Sequence, residues 1–193
     1  MIRFVSRVVD RGALVAAAVG AGVAVTVGVS FLLVVPIEPV VWLLALPAGL
    51  LIGYYANARS DRRSGPWRRI VANALLSGAV TAATLAALML GVKAIFFAAD
   101  DGYRDAGLGG PIDCATGVDC VYHRYLETQA SDLAAAGVTD AASFGRYYWD
   151  QQLAAAGLVI VLTLAGGVGG GLVYGLANRP SRPVAEGSLA AKP

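Results

Sequence analysis

The stretch PIDCATGVDCVYH, residues 111–123, holds both cysteines of the chain, Cys114 and Cys120, and its only histidine, His123. Thiols and an imidazole this close suit three kinds of chemistry: a structural cross-link, thiol exchange, or metal binding. A metal site would draw on Cys114, Cys120 and His123 with Asp113 or Asp119. The arrangement C-x5-C-x2-H matches none of the usual zinc spacings. Nor is the pair a C-x-x-C motif, and the C-x-x-C-H of haem attachment is missing. Pairing with a second chain is the remaining use. Compartment weighs on the choice, because paired cysteines persist as disulfides in oxidising spaces and are kept reduced in the cytosol. An intramolecular bond would close a short loop that Gly117 helps to turn, stabilising by about 2 kcal/mol.

The elements that carry this stretch indicate the compartment. Of the 193 residues, 57% are apolar and 15% are charged, against about 25% charged in a soluble domain. The apolar residues fall in long blocks with the charges between them. Net charge is +2, with no basic stripe interleaved with aromatics, so a nucleic-acid partner is disfavoured. Arginine far outnumbers lysine, and Ala, Gly and Val abound, as in proteins of GC-rich bacterial genomes.

Residues 12–35 contain no charge. As a helix they reach about 36 Å, enough to cross a hydrocarbon core of about 30 Å. Arg3, Arg7 and Arg11 before them also suit a signal peptide, but its apolar core would be only about 7–15 residues and no cleavage site follows. A retained first span is expected. Residues 36–39, PIEP, should form a turn, since two prolines this close break a helix. A second span is expected over 40–56, with Pro47 inside it. The loop 57–69 carries Arg59, Arg62, Arg63, Arg68 and Arg69 against Asp61. A third span is expected over 70–97, where Lys93 near one end can extend its ammonium to the interface. The fourth is expected over 153–177, followed by a tail at 178–193 with Arg179, Arg182 and Lys192.

With four spans, the N-terminal segment 1–11, the loop 57–69 and the tail all fall on one side. By the positive-inside rule that side is cytoplasmic and the protein is a multi-pass cell-membrane protein. The opposite side holds the PIEP turn and residues 98–152. There Asp100, Asp101, Asp105, Asp113, Asp119, Glu127, Asp132, Asp140 and Asp150 outweigh Arg104, Arg124 and Arg146. Trp42, Phe96, Phe97, Tyr147, Tyr148 and Trp149 would sit at the outer interface, and Tyr54, Tyr55, Trp67 and Tyr174 at the inner one. The cysteine stretch is therefore expected outside the cytoplasm, which favours a disulfide.

Residues 98–152 are too many for a bare loop. Their first part is Gly- and Asp-rich and irregular. From about Asp119 the periodicity turns helical, with Val121, Tyr125, Leu126 and Leu133 on one face and Gly137 as a stop signal. Thr139 or Asp140 can cap a further helix, and no proline intervenes before Pro180, so one long helix should run from the cap into the fourth span. Asp100, Asp101 and Asp105 lack the spacing of a calcium loop and read as a solvated acidic connection.

Two patterns lie within the spans. Thr163, Gly167, Gly171 and Gly175 recur every four residues, beside a second row at Gly166 and Gly170. Such small-residue rows let helix backbones approach closely. The neighbour is either another helix of this chain, with Gly20, Gly22 and Gly28 of the first span the candidate, or a partner protein or second copy. Asn73, Ser77, Thr81 and Thr84 form a polar stripe on the third span. It reads as interhelical hydrogen bonding, with a hydrated path as the alternative. No Asp, Glu, His or Arg lies deep in a span, as pumps and ion pathways require. No inverted repeat, phosphate loop or catalytic triad is present, and no catalytic residue, metal or cofactor is expected.

The expected fold is all-α: four transmembrane helices bundled beneath a small extracytoplasmic helical cap. The order of short outer turn, short inner loop and large outer loop resembles that of tetraspanins. Their Cys-Cys-Gly signature is missing, so the likeness is one of layout. The expected function is non-enzymatic: an accessory or scaffold subunit whose acidic cap meets a partner, with the cytoplasmic arginines as topology signals and anionic-lipid contacts. A small transporter or channel subunit using the polar stripe, and an extracytoplasmic thiol–disulfide protein, are the alternatives.

Overall fold

The computed structural model describes residues 9–30, 38–60 and 66–177. Among them the chain is all-helical: α1 (Arg11–Val29), α2 (Glu38–Arg59), α3 (Trp67–Ala99), a 3-10 turn (Ala106–Leu108), α4 (Val118–Ala135) and α5 (Ala141–Ala177). Arg3 and Arg7, residues 31–35 of the first expected span, residues 61–65 of the arginine loop with Arg62 and Arg63, and the tail lie outside the described residues.

Among the described residues three helices are long and apolar enough to cross a membrane: α1, α3 and α5. At about 1.5 Å per residue, the 33 residues of α3 and the 37 of α5 exceed the roughly 30 Å of a hydrocarbon core. Each therefore projects beyond it. Residues 153–177, expected as the fourth span, are the C-terminal part of a helix that starts at Ala141 without interruption.

α2 begins at Glu38, so Glu38 and Pro39 of the expected turn belong to the helix, and the helix continues through Pro47. A proline in the first turn costs little, because the N–H it lacks would have no partner there.

The helices alternate in direction. Their ends meet where Asn57 of α2 donates to the Ile70 carbonyl of α3 at 3.1 Å. A Cβ on Gly12 of α1 would lie 2.6 Å from the Arg59 backbone. One on Gly175 of α5 would lie 2.7 Å from the Trp67 ring.

The side-chain distribution is inverted relative to a soluble protein. The buried faces are largely small or polar: Ala13, Ala16 and Ala17 of α1, Asn73, Ser77, Gly78 and Thr81 of α3, Thr163, Gly166 and Gly170 of α5, with Ile70, Leu85, Met89 and Val159 among the larger apolar groups they enclose. The large aliphatics point outward, with Leu43 74%, Leu51 65% and Val161 62% exposed. In water such a surface would forgo most of the hydrophobic stabilisation available to it.

Beyond the long helices, α4 packs on the start of α5. Val121, Leu133, Val138, Phe144 and Tyr148 form a separate core, flanked by Phe97, Tyr125, Leu126 and Trp149. The turn between α4 and α5 has two reinforcing caps. Gly137, at φ 71°, ends α4 in the left-handed conformation that glycine adopts without strain. There the Val138 N–H reaches the Leu133 carbonyl at 2.9 Å and the Gly137 N–H reaches that of Ala134 at 3.1 Å. This is a Schellman arrangement, closed by the Leu133–Val138 contact. Asp140 then accepts from the Ser143 N–H at 2.7 Å, while Ser143 Oγ accepts from the Asp140 N–H at 3.2 Å. This reciprocal cap starts α5.

Candidate functional site

The polar stripe divides in two. Ser77 Oγ donates to the Asn73 carbonyl at 3.0 Å, Thr81 to Ser77 at 2.9 Å and Thr84 to Val80 at 2.8 Å. Each hydroxyl thus serves its own helix, the usual local bond of Ser and Thr in apolar surroundings. Thr163 does the same, donating to Val159 at 2.7 Å. A cavity of about 20 Å³ lies beside Thr81 and Thr163, walled by Val23, Leu44 and Leu85. Its walls are apolar, and its size suits about one water.

Asn73 behaves differently. Its amide pairs with Asp10 just before α1: the Asp10 N–H donates to Asn73 Oδ1 at 3.0 Å and Asn73 Nδ2 donates to Asp10 Oδ2 at 2.9 Å. The same Nδ2 reaches Asn57 Oδ1 at 3.4 Å. Asn57 Nδ2 in turn donates to the Gly53 and Ile70 carbonyls, both at 3.1 Å. Arg69 meets the other Asp10 oxygen at 3.3 Å. Asn57 and Asn73 are fully buried, so this cluster ties the start of α1 to α2 and α3 without exposing either amide.

The glycine rows of α5 face α2 and α3. A Cβ on Gly166 would overlap the Leu46 carbonyl oxygen, and one on Gly170 would overlap that of Leu50 while lying 2.8 Å from the Tyr54 nitrogen. In the reverse direction, a Cβ on Gly49 or Gly53 of α2 would overlap the Thr163 or Gly167 carbonyl oxygen. Gly167 and Gly171 face Ala74 of α3: a Cβ on Gly167 would lie 3.2 Å from its carbonyl oxygen, and one on Gly171 2.9 Å from its Cβ.

Of the two neighbours left open by the sequence, a helix of the same chain lies here: α2 and α3 rather than α1, whose Gly20 faces Thr81. The spacing of Gly49 and Gly53, GLLIG, is the small-xxx-small signal that marks α2 as that neighbour.

Between α3 and α5, Cys114 and Cys120 sit at disulfide distance, their sulfurs 2.03 Å apart and their Cα atoms 5.0 Å apart. Gly102, at φ 76°, lets the chain pass against them: a Cβ there would lie 2.6 Å from Cys114 Sγ. The Ile112 N–H closes the loop onto the Gly102 carbonyl at 2.9 Å. Cys120 is fully buried.

His123 Nδ1 lies 2.8 Å from the Asp119 carbonyl oxygen, one helical turn back, and Asp119 accepts from the Ala115 N–H at 2.8 Å. Among the described residues no three His, Cys, Asp or Glu side chains are grouped to hold a metal ion. Asp101 accepts from the Tyr103 N–H at 2.9 Å and Asp105 from the Tyr103 hydroxyl at 3.1 Å.

Two arginines between α3 and α5 are paired within that segment. Arg124 grips Asp100 with two bonds, 2.7 and 2.9 Å, and the Tyr103 carbonyl with a third at 2.7 Å. Arg104 pairs with Glu127 and reaches the Gly110 carbonyl at 2.9 Å. The Arg124 hydrogen bond, aided by the Gly102 N–H, holds the Asp100 carboxyl below the usual range and raises Arg124 in return. A carboxyl whose folded pKa is depressed contributes stability that is complete above its unfolded pKa. That contribution is lost as pH falls through the folded value. The 101–113 loop should therefore become protease-sensitive on acidification below the ordinary carboxylate range. Asp100→Asn should be more sensitive at neutral pH and less altered by acid, as limited proteolysis against pH would record. An unchanged acid profile in Asp100→Asn would remove this ion pair as the cause.

No protein-family model matches this chain, and no curated protein or solved structure does so either.

Proposed function

We propose that the chain is a four-span integral membrane protein of the cell membrane, with α2 as the fourth span beside α1, α3 and α5. It acts without enzymatic chemistry, as an accessory or scaffold subunit. Both termini face the cytoplasm, and residues 98–152 form an extracytoplasmic cap that meets a partner protein. The inverted side-chain distribution carries this reading: mostly small and polar residues inside, most Leu and Val outside, over helices of spanning length. A lipid solvent makes that arrangement favourable, because packing in it relies on close backbone contact rather than on burying large apolar groups.

The orientation is supported by the contrast between the two ends. Arg11, Arg59, Arg68 and Arg69 cluster where the α2–α3 connection lies, while the cap is acidic. With Arg104 and Arg124 already paired, the cap offers a net negative face, with Tyr103 exposed beside Asp101 and Asp105. That face suits a basic segment of an extracytoplasmic partner.

A pore-forming role draws less support. The hydroxyl donors of Ser77, Thr81 and Thr84 are committed to backbone carbonyls, and the cavity beside them is small and apolar-walled. A thiol-exchange role needs accessible sulfur, and of this pair Cys120 is fully buried and Cys114 only partly exposed.

After mild reduction of intact cells or spheroplasts, an impermeant maleimide should label Cys114, the partly exposed member of the pair. Labelling only after permeabilisation would overturn the orientation. A partner copurified in mild detergent should be lost from a variant in which Asp101, Asp105 and Asp113 are changed to Asn. Ion or solute flux in proteoliposomes that Thr81→Leu abolishes would overturn the accessory reading.

A further inference from the structure

The fold gathers arginines at one end that are separated in the sequence. The start of α1 abuts the end of α2, with Gly12 against the Arg59 and Ser60 backbone. Arg69 at the start of α3 reaches Asp10. Arg11, Arg59 and Arg68 therefore lie around one rim with Arg69, and all three are exposed. Among the described residues none of the three has an ion pair. Asp10, the carboxylate at this end among the described residues, already accepts from Asn73 and Arg69.

We propose that this rim binds the phosphate groups of anionic phospholipids in the adjoining leaflet. The inference rests on the membrane reading above. Guanidinium forks match phosphodiester oxygens two at a time, and they do so best where water is partly excluded. The rim lies at such a level: Tyr54, Tyr55 and Trp67, each partly exposed, ring the same end, as amphipathic aromatics do at a membrane interface. The opposite end of the molecule is acidic, so attraction to anionic headgroups is one-sided. Because Arg11 and Arg59 lie on either side of the α1–α2 contact, a bound headgroup would also bridge the two helices, beside the Asp10–Asn73 pair.

The full chain is first reconstituted in phosphatidylcholine vesicles and washed with alkaline carbonate. A chain that washes off overturns the membrane reading, and this inference with it. The inserted protein is then extracted from mixed phosphatidylcholine–phosphatidylglycerol vesicles, and its retained lipids are counted by native mass spectrometry. Phosphatidylglycerol should be enriched over its bulk share. The enrichment should fall about fivefold for each of Arg11→Gln, Arg59→Gln and Arg68→Gln, and should decline in the unmodified protein as salt is raised. Arg146→Gln, on the cap, should leave it unchanged. Equal enrichment in the rim variants and Arg146→Gln, or none in an inserted wild-type protein, overturns this inference and leaves the membrane reading standing. Enrichment that inorganic phosphate abolishes would assign the rim to a free anion and overturn it equally.

Discussion

Gly170→Leu is expected to destroy the packing of α2 on α5, the largest single effect in this protein. Even the first carbon of the new side chain would overlap the Leu50 carbonyl oxygen and lie 2.8 Å from the Tyr54 nitrogen. Both obstacles are backbone, and neither can rotate away. The helices must separate, and separation also breaks the contacts of Gly166, Gly49 and Gly53 along the same seam. Overpacking in ordinary cores costs about 1–3 kcal/mol; here an entire helix contact is at stake, so at least about 3 kcal/mol is expected. In detergent the variant should lose its cooperative thermal transition while keeping most of its helix signal, since each helix is separately stable in an apolar solvent. Gly169→Leu is the internal comparison. A Cβ at Gly169 meets nothing within 4 Å, and the change should cost less than about 0.5 kcal/mol. If the two variants melt alike, the seam does not hold the fold together.

Asn73→Leu should produce the second largest loss, about 2–4 kcal/mol. The substitution removes the acceptor of the Asp10 N–H, one donor to the Asp10 carboxylate, which keeps Arg69, and the Asn73 donor to the fully buried Asn57; a buried polar group that loses its partner costs about 1–3 kcal/mol. Interhelical hydrogen bonds in membranes average less, about 0.6 kcal/mol. Asn73 exceeds that average because one amide serves both Asp10 and Asn57. Ser77→Ala, one turn along the same stripe, should cost no more than about 0.5 kcal/mol, because its hydroxyl serves only its own helix backbone. Thermal midpoints of the two variants under one detergent condition provide the test. Equal losses would mean that the stripe acts as a unit, and the distinction drawn from the hydrogen bonds would fail. Asn57→Leu should resemble Asn73→Leu, and the double variant should lose less than the sum, since the two amides share a bond.

The differing behaviour of Asn73 and Ser77 marks the limit of what periodicity can convey. Helical spacing puts Asn73, Ser77, Thr81 and Thr84 on one face, and three of them are buried there. It does not say whether a polar atom looks along its own helix or across to another. Asp10 illustrates the same gap: by sequence it belongs to a basic N-terminal segment, whereas in the fold it is the acceptor that draws Asn73 and Arg69 together. Asn57, the other end of that cluster, is unremarked in sequence because it opens an arginine-rich loop and shares no repeat with its neighbours.

The residues alone determined the all-helical class, the long apolar helices, the helical second half of the cap and the continuous helix from Ala141 onward. Those properties follow from local hydropathy, capping groups and the placement of prolines, each of which acts within a few turns of one helix. The pairing of Cys114 with Cys120 was nearly as local, since the chain between them is short and turns at a glycine. Which helix fills the glycine rows of α5, which acceptor Asn73 finds, and which arginines share a rim were decided only by tertiary structure. Each depends on two segments far apart in sequence coming within a few ångströms, and in a chain rich in small residues many such pairings satisfy the same pattern. Close backbone fit selects one of them, and that fit is a property of the assembled helices.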